Sequence, residues 1–207
     1  MDATSQLSHD DGMTSPSARR TLSGTIGRAT ERTVAVAAML AIGLMAGVFF
    51  AFNALVMPGF DATNPVVALP ALQSINDGLD GQPFRLAFFG AALLAAVAVA
   101  VGAVRRDGLG SYLAMAAGAI YLVGTLLITL LFSNPLNGDL NGYGLLDPSS
   151  LGRTERYIED WSRWNAVRTG SALVAFVLFA AAVLLPRRRN SGTAPVTGRP
   201  ATDQIGT

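Results

Sequence analysis

Four long apolar stretches organise the chain. The first runs from Thr33 to Met57 and the second from about Leu86 to Val104. The third runs from about Tyr112 to Phe132, and the fourth core from Thr169 to Leu185. Unbroken runs of about 20 residues suit helices crossing a hydrocarbon core of roughly 30 Å. In lipid a lone strand would leave its backbone groups unpaired, and a barrel would show short alternating segments instead. The pattern therefore predicts an all-α fold: a four-helix transmembrane bundle with spans at about 33–57, 86–104, 112–132 and 165–186. The fourth begins before its apolar core because 154–168 already carries helical patterning. Pro58-Gly59 and Asn134-Pro135 are read as stops for the first and third helices, and Pro186 for the fourth. Polar segments 1–32 and 187–207 lack an apolar period and read as disordered tails around a membrane domain at 33–186.

Composition supports this. Of 207 residues 51% are hydrophobic and only 14% charged, and mean hydropathy is +0.41. The net charge of +1 does not suggest nucleic acid as a partner. There is no cysteine, and the sole histidine is His9 in the tail. Thiol chemistry, Fe–S clusters and histidine-ligated metal or haem are thereby disfavoured, so no metal or cofactor is expected. Every basic residue is arginine; ten of the fifteen fall in the two tails and the 105–111 loop. By the positive-inside rule both termini are expected to be cytoplasmic, in a bacterial-type plasma membrane, with two long extracytoplasmic loops. Membrane lipid is then an obligatory partner. Gly43-x3-Gly47 suits close helix packing, either within one chain or in a homo-oligomer.

The four cores hold no Asp, Glu, Lys or His. That argues against a proton-coupled transporter. Polar residues collect at the loop ends of the helices instead. Asn53 lies near the end of helix one, and Thr125, Thr129 and Ser133 are spaced by four on helix three. Asn134 and Asn137 follow, while Arg85 and Arg168 open helices two and four. Helices one and three thus end alike, each with a polar residue near a proline. Trp161, Trp164, Asn165 and Arg168 stand at i, i+3, i+4 and i+7, which predicts one helix face carrying both indoles, an amide and a guanidinium. Such a face either anchors the helix at the headgroups or stacks a planar ligand whose oxygen Arg168 and Asn165 hold. Asn134 and Asn137 either end a helix or line a pocket there. Asn76 and Asp77, on a short amphipathic segment of the first loop, read first as a solvated face, with Asn76 kept as a candidate ligand contact.

Together the segments GLMAGVFFAFNALVMPGF, LQSIND, NPLN and W-x2-WN-x-VRT resemble the anthrone oxygenase-like family of small four-helix membrane proteins over about residues 35–186. The chain departs from that family in two places: Asn134 and Pro135 are adjacent where another residue often intervenes, and Ala166 stands where histidine is frequent. The resemblance implies oxidation of an anthrone or hydroquinone-type aromatic by O2 without metal or flavin, a cofactor-independent monooxygenase. In that reading Arg168 stabilises the substrate anion, Asn165 and Asn137 hold its oxygens, and Trp161 and Trp164 stack its rings. Asn134, Asn53 and Asn76 complete the pocket. The acidic candidates for a base are Asp77, Asp139 and Asp160, with Tyr143 behind them. The competing expectation is a non-catalytic membrane protein that binds a lipid, a small hydrophobic ligand or a partner protein.

Overall fold

The computed structural model describes residues 16–79, 81–106 and 108–185. Residues 1–15, Asp80, Asp107 and everything from Pro186 onward lie outside the described residues. The latter include the expected C-terminal tail, the proline stop and the Arg187–Arg189 cluster that weighed in the orientation.

The fold is all-helical, with no strand among the described residues. Helix α1 (Pro16–Ala51) continues through a π-helical turn (Phe52–Val56) into α2 (Met57–Asp61). Helix α3 (Pro65–Leu79) lies in the first long loop, and α4 (Gln82–Arg105) is the second span. Helix α5 (Leu109–Tyr121) leads through π-helical turns at Leu122–Leu127 and Thr129–Ser133 into α6 (Asn134–Asn141). Helix α7 (Ser149–Leu184) closes the bundle. Four helical stretches are long and apolar enough to cross a membrane: Ala29–Asp61, Gln82–Arg105, Leu109–Asn141 and Ser149–Leu184. The protein is an integral membrane protein.

Each span outruns its apolar block. The first helix reaches back to Pro16, through residues whose polarity reads as a tail. Once a span has nucleated a helix, further residues join at little cost, and proline fits a first turn. Nor do the two prolines stop their helices. The Met57 N–H, just before Pro58, bonds the Phe52 carbonyl, and the Asn134 N–H, just before Pro135, bonds the Thr129 carbonyl. Both are i→i−5 bonds. The widened turn takes up the strain that a proline ring would impose on the preceding carbonyls of a regular α-helix. The shared design of helices one and three is thus a π-turn followed by proline.

The spans pack in a ring: α1 on α4 and α7, and α5 on α4 and α7. The seams are lined by small residues, Ala35 and Ala38 on α1, Ala91, Ala95 and Ala98 on α4, Ala114 and Ala117 on α5, and Ala172, Ala175 and Ala182 on α7. In lipid, apolar transfer does not drive helices together, so close backbone approach and dispersion must. Leu40, Leu44, Leu93, Val123 and Val177 point away from this seam and are exposed. At Gly118 one span meets the backbone of another: a methyl group there would sit 2.7 Å from the Ala95 carbonyl oxygen. Gly118→Val is expected to cost about 1–3 kcal/mol through overpacking, read as a lower unfolding temperature in detergent. Gly47→Val serves as the control, because nothing lies within 4 Å of a side chain added there. A Cβ added at Gly43 would meet the Phe176 ring at 3.0 Å. The two glycines of the G-x3-G pair therefore do not form one notch within the chain.

At the loop-bearing end, α3 and α6 cap the bundle. Gln73 Nε2 donates to the carbonyls of Leu140 (2.9 Å) and Tyr143 (3.1 Å). Asn76 Nδ2 donates to the Asn137 carbonyl (3.0 Å) and to Asn141 Oδ1 (2.9 Å). A second apolar cluster of Met57, Leu69, Leu72, Leu140, Tyr157, Ile158 and Trp161 glues this cap to the first half of α7.

Candidate functional site

Beneath the cap, between α1, α4, the third span and α7, lies a cavity of about 340 Å³. Its wall is aromatic: Phe49 and Phe52 from the first span, Phe84, Phe88 and Phe89 from α4, and Trp161 from α7. Its polar groups are Arg168, Arg85, Thr129, Asn134 and Asn137. Both proline-linked π-turns border it, through Phe52 on one side and Thr129 on the other. A π-turn re-aims side chains that a regular helix would present elsewhere, and such turns recur at functional sites.

Arg168 is the central feature. Its residue is 5% exposed, yet it has no carboxylate partner among the described residues. Nη2 donates to Asn165 Oδ1 at 3.1 Å, and Nη1 makes a long 3.5 Å contact to Thr129 Oγ1. Nε is buried with no hydrogen-bond partner among the described residues. The guanidinium carbon stands 5.0 Å from the Trp161 ring centre and 5.1 Å from that of Phe49. Ring faces offset part of the cost of burying a cation, but burial without an anion remains unfavourable. A positive charge held this way in an aromatic hollow has the chemistry to receive a negative oxygen.

The supporting residues are themselves fixed. Asn165 is fully buried, and its Nδ2 donates to the Phe49 carbonyl at 2.8 Å and to Asn53 Oδ1 at 3.1 Å. These bonds leave Asn165 Oδ1 turned to Arg168. Asn137 Oδ1 accepts from Tyr157 Oη (3.1 Å) and Trp161 Nε1 (3.2 Å), which sets the tilt of the indole over the cavity. Trp161 also packs on Phe52, ring centres 5.5 Å apart. Thr125 Oγ1 and Ser171 Oγ, 3.0 Å apart, tie the third span to α7.

The sequence-derived candidates divide accordingly. Arg168, Trp161, Asn137 and Asn134 line the cavity. Asn165 and Asn53 stand behind it as a hydrogen-bonded pair. Asn76 is buried and holds the cap to α6, bordering only a small neighbouring hollow, so the solvated reading does not describe it; Asp77 is exposed. Trp164 stacks flat on Phe132 at 3.9 Å, away from the cavity. On a helix, about 100° per residue puts positions 161, 165 and 168 within one narrow sector and turns 164 to its flank. The phenylalanines and Arg85 complete the wall. The run Phe84-Arg85-x-x-Phe88-Phe89 at the mouth of the second span was the sequence signal for them.

Asp77, Asp139, Asp160 and Tyr143 do not line the cavity. Asp160 faces Arg163 at 3.7 Å, and Tyr143 lies beneath Arg153. Among the described residues no cluster of His, Cys, Asp or Glu is placed to hold a metal.

Ahead of α7, Asp147 orders the last turn of the cap. Its Oδ1 accepts the Ser149 backbone N–H and its Oδ2 the Ser149 hydroxyl, with Arg153 Nη2 at 2.8 Å. The hydroxyl bond, then the N–H bond and the nearby guanidinium hold this carboxyl below its ordinary value. A depressed folded pKa stabilises above the unfolded value, near 4 for Asp, and that contribution disappears as pH falls through the lower folded value. Proteolysis within 142–148 is expected to rise below about pH 4 and to be insensitive to pH above it in wild type. Asp147→Asn should show the higher rate at all pH values.

Residues 84–178 match the family model described as Anthrone oxygenase. No curated protein and no solved structure matches the chain. The matched stretch holds Arg168, Trp161, Asn137 and most of the cavity wall, while Phe49 and Phe52 lie ahead of it. The chain is accordingly an integral membrane protein whose second, third and fourth spans are similar to the anthrone oxygenase family.

Proposed function

We propose that the protein oxidises a lipophilic aromatic of anthrone or hydroquinone type with O2, without a cofactor, in the cavity at the extracytoplasmic end of the bundle. The observation that carries this reading is the buried Arg168 guanidinium, with no carboxylate partner among the described residues and facing an aromatic hollow. An anthrone is a weak carbon acid whose conjugate base is an oxyanion delocalised onto three rings. Such an anion matches a cation ringed by phenyl and indole faces.

The methylene carbon loses a proton, and the resulting carbanion passes an electron to O2. The radical pair closes a C–O bond, and protonation gives a hydroperoxide. Loss of the second C–H proton with O–O cleavage expels hydroxide and leaves a carbonyl. One CH2 and one O2 become one C=O and one H2O, four electrons passing from carbon to oxygen. Arg168 holds the charge while it lies on the substrate, and Asn137 and Asn134 are placed to bond its oxygens. The aromatic wall excludes bulk water from the anion.

Among the described residues no carboxylate lines the cavity, so deprotonation falls to water with Arg168 stabilising the anion. Turnover is then expected to rise with pH across the substrate's own ionisation, without the inflection near pH 4–5 that an enzyme carboxylate would add. The test is oxygen uptake by the purified protein in detergent with dihydroxyanthrone. Stoichiometric uptake of one O2 per anthraquinone formed supports the reading. Specific binding of the anthrone without uptake above the buffer rate assigns the cavity to a non-catalytic aromatic-binding protein, a reading favoured by the lack of a lining base among the described residues.

A further inference from the structure

Alongside the inner cavity runs a second, open groove of about 510 Å³, formed by Gln82, Arg85, Leu86, Phe89, Gly90 and Leu93. These are successive positions of one α4 face, about 16 Å long at 1.5 Å per residue. Leu86 and Leu93 are 79% and 65% exposed, on the side where a bilayer would lie. Arg85 and Phe89 belong to both hollows. The Arg85 side chain makes no hydrogen bond or ion pair among the described residues. The third span leaves α4 at this height. Helix α4 packs along α5 and the Leu122–Leu127 turn, but has no substantial packing against Thr129–Ser133 or α6. The helix pair is therefore parted at the level of Thr129 and Asn134, which line the cavity opposite Arg85 and Phe89.

We infer that the cavity is entered sideways from the bilayer, between the second and third spans, and that it takes an aromatic oxyanion bearing a long alkyl tail, the tail lying along the Arg85–Leu93 face of α4. This rests on the aromatic-oxyanion reading of the inner cavity and adds a substrate class to it. The occupant follows from continuity and charge. A ring seated against Arg168 has its nearest apolar exit past Phe89, and the groove beyond is apolar along its length, with a cation at its head. Arg85, at the depth where long cationic side chains reach the headgroups, meets the anion as it leaves the lipid phase. A tail already dissolved in lipid gains little by moving into the groove, so its acceptance is a matter of room and not of extra hydrophobic drive.

The test uses the full protein in phosphatidylcholine nanodiscs with two probes: hydroxynaphthoquinone, an anion at neutral pH, and the same ring with a ten-carbon alkyl chain. Binding is read from quenching of tryptophan fluorescence. Gly90→Phe obstructs the groove; nothing lies within 4 Å of a Cβ added there, so the new side chain starts into open space and not into the bundle. Comparing wild type and variant with the same probe cancels partitioning into the disc. The expected result is that wild type binds both probes. Gly90→Phe then weakens the tailed probe by at least about tenfold and the bare ring by less than about twofold. Equal affinity of wild type and Gly90→Phe for the tailed probe overturns the inference, including where phospholipid alone leaves the groove of the variant. Rejection of the tailed probe by a wild type that binds the bare ring also overturns it, since the cavity then opens to water only. Failure of wild type to bind either probe removes the oxyanion reading itself, and the portal with it.

Discussion

On the proposed activity, Arg168→Met is expected to lower anthrone turnover by about 10²–10³-fold, the size expected when a donor aimed at a developing oxyanion is removed, while the protein keeps or gains thermal stability. The two halves of this result have one cause. A buried cation without a counter-anion costs folding free energy, and an apolar side chain of similar length removes that cost. Its burial against Phe49 and Trp161 is retained by the methionine chain. Arg168→Lys keeps the charge but loses the planar fork that spans Asn165 and the cavity, so it should recover only part of the rate. Turnover is checked by oxygen uptake and stability by thermal unfolding in detergent. A large fall in unfolding temperature for Arg168→Met would show that the guanidinium is structural.

The second large effect belongs to Asn137. One carboxamide oxygen accepts from both Tyr157 Oη and Trp161 Nε1, and the backbone carbonyl of the same residue accepts from Asn76. Asn137→Leu leaves a phenol and an indole N–H without their acceptor at the edge of the cavity. Each orphaned donor costs about 1–3 kcal/mol, so the cap should loosen and the unfolding temperature drop. Trp161, no longer held in its tilt, ceases to close the hollow. Affinity for an aromatic anion is expected to fall by about tenfold or more. Asn137→Asp, which keeps the acceptor, should restore the indole bond. It also adds a negative charge to the cavity wall, so it recovers stability and not anion binding. That split separates the positioning role from a purely structural one.

Much of this architecture was legible because lipid reduces the choices. Continuous apolar runs dictate helices, and the four spans follow from them. The inward sector of α7 was legible too, since 161, 165 and 168 share one narrow angular range; Trp164 falls outside it for the same geometrical reason. Helix ends were less readable. Pro58 and Pro135 are stop signals in a regular helix, and only the i→i−5 bonds at Met57 and Asn134 let the chain continue. Polarity misplaced the start of α1, because a tail attached to a span extends its helix cheaply. The cavity wall was harder still. Phe49, Phe52, Phe84 and Phe88 are ordinary membrane residues by composition, and their convergence depends on helix packing that no local pattern encodes. Asn76 looked like surface until α6 folded over it and provided the carbonyl that it bonds.

The most direct measurement is the acid dissociation constant of a bound aromatic enol or phenol, followed by its absorbance in wild type and Arg168→Met. With Arg168 as the receptor for the oxyanion, the bound probe should ionise at least about one pH unit lower than the free probe in the same detergent, a shift that disappears in Arg168→Met. A bound probe that ionises at the free value or higher in wild type would contradict the account, because the cavity would then be binding the neutral ring and its guanidinium would have no part in the chemistry.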